Sequence, residues 1–350
     1  TITPYELYTG AMKIDGPTMA NLELLEGAEG TRKGSLLERL DCCVSAGGRR
    51  LLRAWLCRPL CSIGHIDRRL DAVEELMTGD RGQAFAEELR GLCDLERAVG
   101  RVRHLMAGPP PGLPLEMAKQ RQGRRLQVLA AGAVGVKQAV RVLSTMEGAE
   151  ATLLMQAAKA APANNSAAVC VADGILQSLG LSTSVTNAEL RKVRALSLSE
   201  EAFVQTAGTT SVTKASAQIE TEAQLLEEVK ATDSLVAAFV DHIGVWERMA
   251  TTIAQVDVLL AFASFASTAD GPTCRPAFLQ PGSGVGGGSM LDIEDLWHPC
   301  TVTTSPGACV VPNDLRLGSS SEKGRKAQPA GDASSSQVSA DSGGLGWLDC

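Results

Sequence analysis

Between Gln218 and Thr268 the chain carries no proline, and apolar residues return at threes, fours and sevens: Ile219, Leu226, Val229, Val236, Val240, Ile243, Trp246, Ile253, Val256 and Leu260. Charged residues lie between them. A helix of about 45 residues is a rod of roughly 70 Å, and a rod cannot bury its stripe against itself. It needs an antiparallel partner. The obvious one is the 115–160 stretch, rich in Ala, Leu, Val and Gln, with Arg121, Arg124 and Arg125 on its polar side and Gly123, Gly132 and Gly135 weakening it. Asp257 falls among Ile253, Val256, Leu259 and Leu260, so it reads as a half-buried carboxylate that caps a helix or pairs with a cation.

Upstream, Met12 to Asp15 alternate like a short strand leading into a short helix. From Ser35 the period is helical: Leu36, Leu37, Leu40 and Val44, then Leu51, Leu52, Trp55 and Leu56 up to Pro59. Gly47 and Gly48 mark either a kink or a turn between helices. Ile66, Leu70, Val73 and Leu76 make another helix, and Phe85 to Val102 continue the pattern. The Gly108-Pro109-Pro110-Pro111-Gly112 run is a loop. Residues 161–215 lose periodicity. Beyond Ala269, Arg275 to Leu279, Met290 to Ile293 and Cys309 to Val311 read as short strands, and 318–344 are too rich in Ser, Gly, Lys and Asp to order. The expected fold class is mainly α: a helical core with two long antiparallel lever helices, then a few β-strands and a disordered tail.

Composition removes several functions. With 6 Phe, 4 Trp and 2 Tyr in 350 residues there is no stacking platform for single-stranded nucleic acid. The net charge is −7, yet Arg32 to Arg125 hold 18 basic against 12 acidic residues, which fits either a nearby phosphate backbone or a solvated helix face. The 10 Cys show no paired CxxC spacing; Cys57, Cys61 and His65 are the one helical-spaced set, and buried free thiols are the better reading than zinc. No apolar run nears about 18 residues, so no membrane span is expected. The start at Thr1 has no secretory pattern and reads as a fragment.

Several strings taken together carry a resemblance: GSLLERLDCCVSAGGRRLLRAWLCRPLCSIGHIDRRLDAVEELM (34–77), LCDLERAVGRV (92–102), IAQVDVLLAFASFASTADGPTCRP (253–276), DLWHPC (295–300) and VVPNDLRLG (310–318). In order and content they resemble the MutS mismatch-repair family, most of all its eukaryotic members that read base mismatches within a nuclear heterodimer. The resemblance implies an entry segment from a missing connector (1–33), a helical core (34–107), an outgoing lever helix (115–160), a shortened or degenerate clamp (161–215), a returning lever helix (216–268), the first strands of a truncated ABC-type ATPase domain (269–317) and a tail (318–350). It implies a part that couples ATP state to DNA clamping, with double-stranded DNA containing mismatches and a second MutS-homologue subunit as partners, in the nucleus. The alternative is a non-catalytic helical scaffold that only binds such a subunit.

The departures matter too. The family's Phe-x-Glu mismatch reader and its GxxxxGKS phosphate loop have no counterpart here, so ATPase activity by this chain alone is not expected, and neither ATP nor Mg is expected to bind it tightly. The family's adenine-enclosing segment survives as Val310, Pro312 and Asn313, with Val310 in place of the ring. Residues 161–215 carry few cations and one aromatic, Phe203. The candidate DNA contacts are Arg49, Arg50, Arg53, Arg121, Arg124 and Arg125; no catalytic or metal-binding residue is assigned.

Overall fold

A computed structural model describes residues 10–106, 113–163, 166–181, 222–269, 273–279, 290–297, 299–300 and 311–317. They divide into two units, the first reaching Ser267 and the second starting at Thr268.

Short polar side chains cap several helices of the first unit. Asp15 Oδ1 accepts from Thr18 N at 2.9 Å and opens α1 (Gly16–Asn21). Ser35 opens α2 (Leu36–Leu40), Ser45 opens α3 (Ala46–Cys57), and Asp94 opens α6 (Leu95–Arg103), each accepting an N–H three residues on. Between them lie α4 (Ile63–Met77) and α5 (Arg81–Arg90). Gly47 and Gly48 are neither kink nor turn: the helix starts at Ala46 and runs through both, because Ser45 satisfies its first free N–H. The expected strand near Met12 shrinks to one bridge between Ala11 and Leu60.

At the centre stands α7 (Leu115–Ser144), whose Leu129, Ala133, Val136, Ala139, Val142 and Leu143 are fully buried. Its glycines are sites of close approach, not points of weakness. A Cβ on Gly132 would lie 2.7 Å from Val102 Cγ2, and one on Gly135 would lie 2.8 Å from Cys93 Sγ. The helix does not reach residue 160. It stops at Ser144, Gly148 takes φ +76°, and a separate α8 (Thr152–Ala160) follows. Glu75 of α4 holds that turn by accepting from Ala151 N at 2.6 Å and from Glu150 N, while Arg81 donates to Gly148 O at 3.0 Å. Part of the stretch expected as a degenerate clamp is core: α9 (Ala167–Ser178) buries Val169, Ala172, Ile175 and Leu176. Residues 182–215, which carry the rest of that expectation, lie outside the described residues.

The long stripe is two helices, α10 (Glu222–Asp241) and α11 (Ile243–Thr268), separated at His242. Trp246 Nε1 donates to Phe239 O at 3.1 Å across the break, so a carbonyl released from the helix ladder stays satisfied in the core. The direction of α10 also corrects the expectation. Gln122 donates to Thr232 Oγ1 at 2.6 Å, Arg125 to Asp233 Oδ1 at 2.5 Å, and Gly132 faces Phe239. Numbers rise together on both helices, so α7 and α10 run parallel. The expectation treats the two long helices as consecutive members of an up-down pair, whereas α8 and α9 lie between them in sequence. The antiparallel neighbour of α7 is α6, with the expected 108–112 loop between them outside the described residues: Leu95 faces Gly135, Val102 faces Gly132, and Leu105 O accepts from Arg125 at 2.9 Å.

Both α7 and α11 are long and apolar enough to cross a membrane by length and composition, contrary to the expectation from apolar runs. Here each lines the core, and each carries a buried ionisable residue, Arg125 and Asp257 respectively.

In the second unit β1 (Leu291–Leu296) pairs antiparallel with β2 (Asn313–Leu317), with a bulge between Ile293 and Leu296. Leu291 faces Leu317 and Ile293 faces Leu315, while Arg316 on the other face binds Asp292 at 2.9 Å and Glu294 at 3.0 Å. Arg275 to Leu279 join no ladder among the described residues. Cys309, Val310 and the 318–350 tail lie outside them. The mainly helical class with a few late strands holds.

Gly132→Ala is expected to lower stability by about 1–3 kcal/mol through overpacking. Gly174→Ala on α9, where a Cβ meets nothing within 4 Å, is expected to raise it by up to about 1 kcal/mol. Urea midpoints at unchanged slope check both.

Candidate functional site

The most constrained polar site joins α11 to the start of α3. Asp257 is fully buried, and its carboxylate accepts from Val44 N at 3.0 Å, Ser45 N at 2.8 Å and Ser45 Oγ at 2.6 Å. Ser45 Oγ in turn accepts from Gly48 N at 2.9 Å. Two caps are thus stacked, a local one from Ser45 and a remote one from a residue more than 200 positions away. Burial pushes the Asp257 carboxyl up, and the bonds from Ser45 and Val44 together with the Arg49 charge pull it back only in part. Gly48 is required by this approach, since a Cβ there would stand 2.1 Å from Asp257 Oδ2. Next to it Cys43 is buried, and burial, then the charges of Asp257 and Asp41, push its thiol far up and leave it unreactive. Cys43 is the exception: Cys42, Cys61, Cys170 and Cys274 are exposed, so a buried thiol describes one cysteine of those described.

The second site is the polar lock between α7 and α10. Arg125 is 6% exposed and donates to Asp233, to Gln122 Oε1 at 3.1 Å and to Leu105 O. Gln122 spans to Thr232. A buried guanidinium with three acceptors holds register between the two helices and does not reach a DNA phosphate. Arg50 is committed as well: it forks onto Asp94 at 2.8 and 2.9 Å and reaches Glu96 at 2.6 Å. These two arginines therefore tie α3 to α6 and α10 to α7. Arg49, Arg53, Arg121 and Arg124 are on the surface, although Arg49 lies 3.7 Å from Asp41, and Arg124 has partners of its own. The structure does not gather the six into one patch: three start from α3 and three from α7.

Asp94 could have been read from sequence, as an acid three residues before an N–H it caps. Glu75 and the Asp257 partners could not, because a cap supplied from another helix has no local spacing.

Of the adenine-site remnant, Val310 lies outside the described residues. Pro312 and Asn313 are exposed, and Asn313 turns its amide to Val311 O at 3.3 Å. The segments on either side of the pair, 301–310 and 318–350, also lie outside the described residues, and no step is routed through a nucleotide here. Among the described residues no group of three or more His, Cys, Asp or Glu could hold a metal ion.

Asp257→Asn puts an amide N–H against a donor, so it is expected to cost about 2–4 kcal/mol. Gly48→Ala, which helix propensity alone would favour, is expected to destabilise for the steric reason above. Gly47→Ala, with 3.6 Å to its nearest neighbour, is expected to be neutral or stabilising. Chemical unfolding of the three variants against the parent checks the contrast.

The family model of MutS domain III matches residues 17–263, a span that contains the Asp257 joint, the α7/α10 lock and all six arginines. DNA mismatch repair protein MSH7 of Arabidopsis thaliana is 29% identical over 324 residues, covering 91% of this chain and 26% of that protein. DNA mismatch repair protein Msh6 of Gallus gallus is 26% identical over 401 residues, covering 89% and 29%. DNA mismatch repair protein MutS of Roseiflexus sp. (strain RS-1) is 42% identical over 116 residues, covering 33% and 10%. The chain spans less than a third of the length of these relatives. With its helices and the joints between them falling inside the matched span, the chain belongs to the MutS family.

Proposed function

We propose that this chain is the domain III scaffold of a MutS-type DNA mismatch-repair protein, with α7, α10 and α11 as levers that carry motion between a nucleotide-hydrolysing module and clamped DNA. The observation that supports it is one strut with two polar anchors. Thr232 and Asp233 tie the strut to α7, and Asp257 ties it to α3. About 38 Å of helix separates the anchors, and the break between them is closed by Trp246. Packed helices move as bodies, so a displacement at one anchor is delivered at the other.

In this reading the partners are duplex DNA containing mismatches and a second MutS-homologue subunit, and the site of action is the nucleus, as the names of the eukaryotic relatives lead one to expect. ATP and Mg act on the longer proteins of the family, not on this chain's Pro312 and Asn313. The domain limits 1–33, 34–107, 115–160, 161–215, 216–268, 269–317 and 318–350 serve as the working division, with α9 assigned to the core. A second reading, a helical scaffold that binds only the partner subunit, is favoured by the internal commitment of Arg50 and Arg125.

Mobility shifts with mismatched and matched duplex at about 50 and 200 mM salt separate the two. Salt-sensitive retention is expected, with Arg53→Ala and Arg121→Ala each lowering the salt slope by about one. Arg125→Ala should leave the slope unchanged and lower the unfolding midpoint instead. No retention up to high micromolar protein replaces the lever reading with the scaffold.

A further inference from the structure

A row of rings and guanidiniums crosses four helices of the first unit. Trp55 on α3 lies against Phe262 on α11, with ring centroids 6.3 Å apart and planes at 41°. Phe265 follows Phe262 on the same helix face. The Arg69 guanidinium of α4 lies 3.3 Å from the Trp55 centroid, and that of Arg39 on α2 lies 5.8 Å from the Phe265 centroid. All three rings are half-buried, not enclosed. A chain with only 6 Phe and 4 Trp places two Phe and one Trp in this row, and rings left partly wet beside arginine are the composition of an interface centre.

Arg69 is the telling member. Arg50, Arg81 and Arg125 each meet a carboxylate, but no carboxylate pairs with Arg69 among the described residues. Its flat face is stacked on the indole, and half-burial pulls its pKa down to about 10, the mark of a cation short of counter-charge. The stack holds the guanidinium on the indole, and no carboxylate among the described residues takes its N–H groups.

We propose that this row is a docking surface for a protein partner that presents an Asp or Glu carboxylate flanked by apolar residues. The carboxylate takes the N–H edge of Arg69 in a bidentate pair, and the apolar residues lie on the edge of Trp55 and on Phe262 and Phe265. Charge complementarity selects the occupant, because one planar fork beside an apolar floor matches one carboxylate. Nucleic acid fits less well. Arg69 already covers a face of Trp55, so no base can stack there, and a phosphate backbone is held by several cations in a line.

The test uses the full chain and a fluorescein-labelled octapeptide of alternating Glu and Leu, followed by anisotropy. Saturable binding is expected for the Glu/Leu peptide and loss of at least tenfold in affinity for its Gln/Leu counterpart. Arg69→Ala should lose binding. Arg69→Lys, which keeps the charge and removes the fork and the stack, should lose about tenfold with unchanged circular dichroism. Arg90→Ala, on the exposed face of α5, should bind like the parent. Absence of binding, equal affinity of the Gln/Leu peptide, or full binding by Arg69→Lys would overturn the proposal. So would displacement of the peptide by a 20-base-pair duplex whose own retention depends on Arg69, which would assign the row to nucleic acid. None of these readouts depends on mismatch discrimination, so this proposal and the lever reading can fail separately.

Discussion

The buried carboxylate of Asp257 on the first turn of α3 is the interaction on which the arrangement of the first unit depends. It satisfies two backbone N–H groups and a hydroxyl of the half-buried Val44 and Ser45, and it does so from a helix more than 200 residues later in the chain. A remote cap of this kind has a strong requirement for position. If α11 rotated or slid by a turn, the carboxylate would be buried without donors and the N-terminus of α3 without its second acceptor, two penalties of about 1–3 kcal/mol each or more. Gly48 is the steric counterpart, since the approach is possible only where no Cβ stands.

The same logic recurs elsewhere in the bundle. Glu75 closes the turn after α7 by taking the N–H groups of Glu150 and Ala151, and Arg125 with Gln122 sets α10 against α7. Apolar burial supplies the attraction among these helices, yet Leu, Val and Ala surfaces tolerate sliding. The buried polar contacts have discrete partners, and they select one register from the many that the apolar faces allow. That selection turns a set of packed helices into a frame able to pass a displacement along its length.

Where the sequence was legible, the signal was local. Helix periodicity marks the helical stretches that hold α3, α4, α6, α7 and α11, and the apolar neighbours of Asp257 point to a carboxylate that caps a helix or pairs with a cation. The co-linear strings named the family that the domain III match supports. Where it was not legible, the signal was absent or ambiguous. The break at His242 leaves the apolar period intact, so nothing in the spacing marks it. The parallel course of α7 and α10 rests on contacts between residues about 110 positions apart, and α9 carries no clear stripe because its small residues, Ala168 and Ala172, dilute it. Arg50 and Arg125 looked like surface cations, since an arginine on a helix reads the same whether it faces solvent or a carboxylate from elsewhere.

By itself the sequence determined a mainly helical chain, the family, and the absence of a GxxxxGKS string from these 350 residues, because each rests on neighbours along the chain or on strings that need no folding to be read. The tertiary structure alone decided which way the long helices run, which arginines are consumed inside the bundle, and that a row of rings holds an arginine that no carboxylate pairs with among the described residues. Those are properties of residues brought together across tens or hundreds of positions, and the pairing energy that chooses among them exists only once the chain has closed on itself.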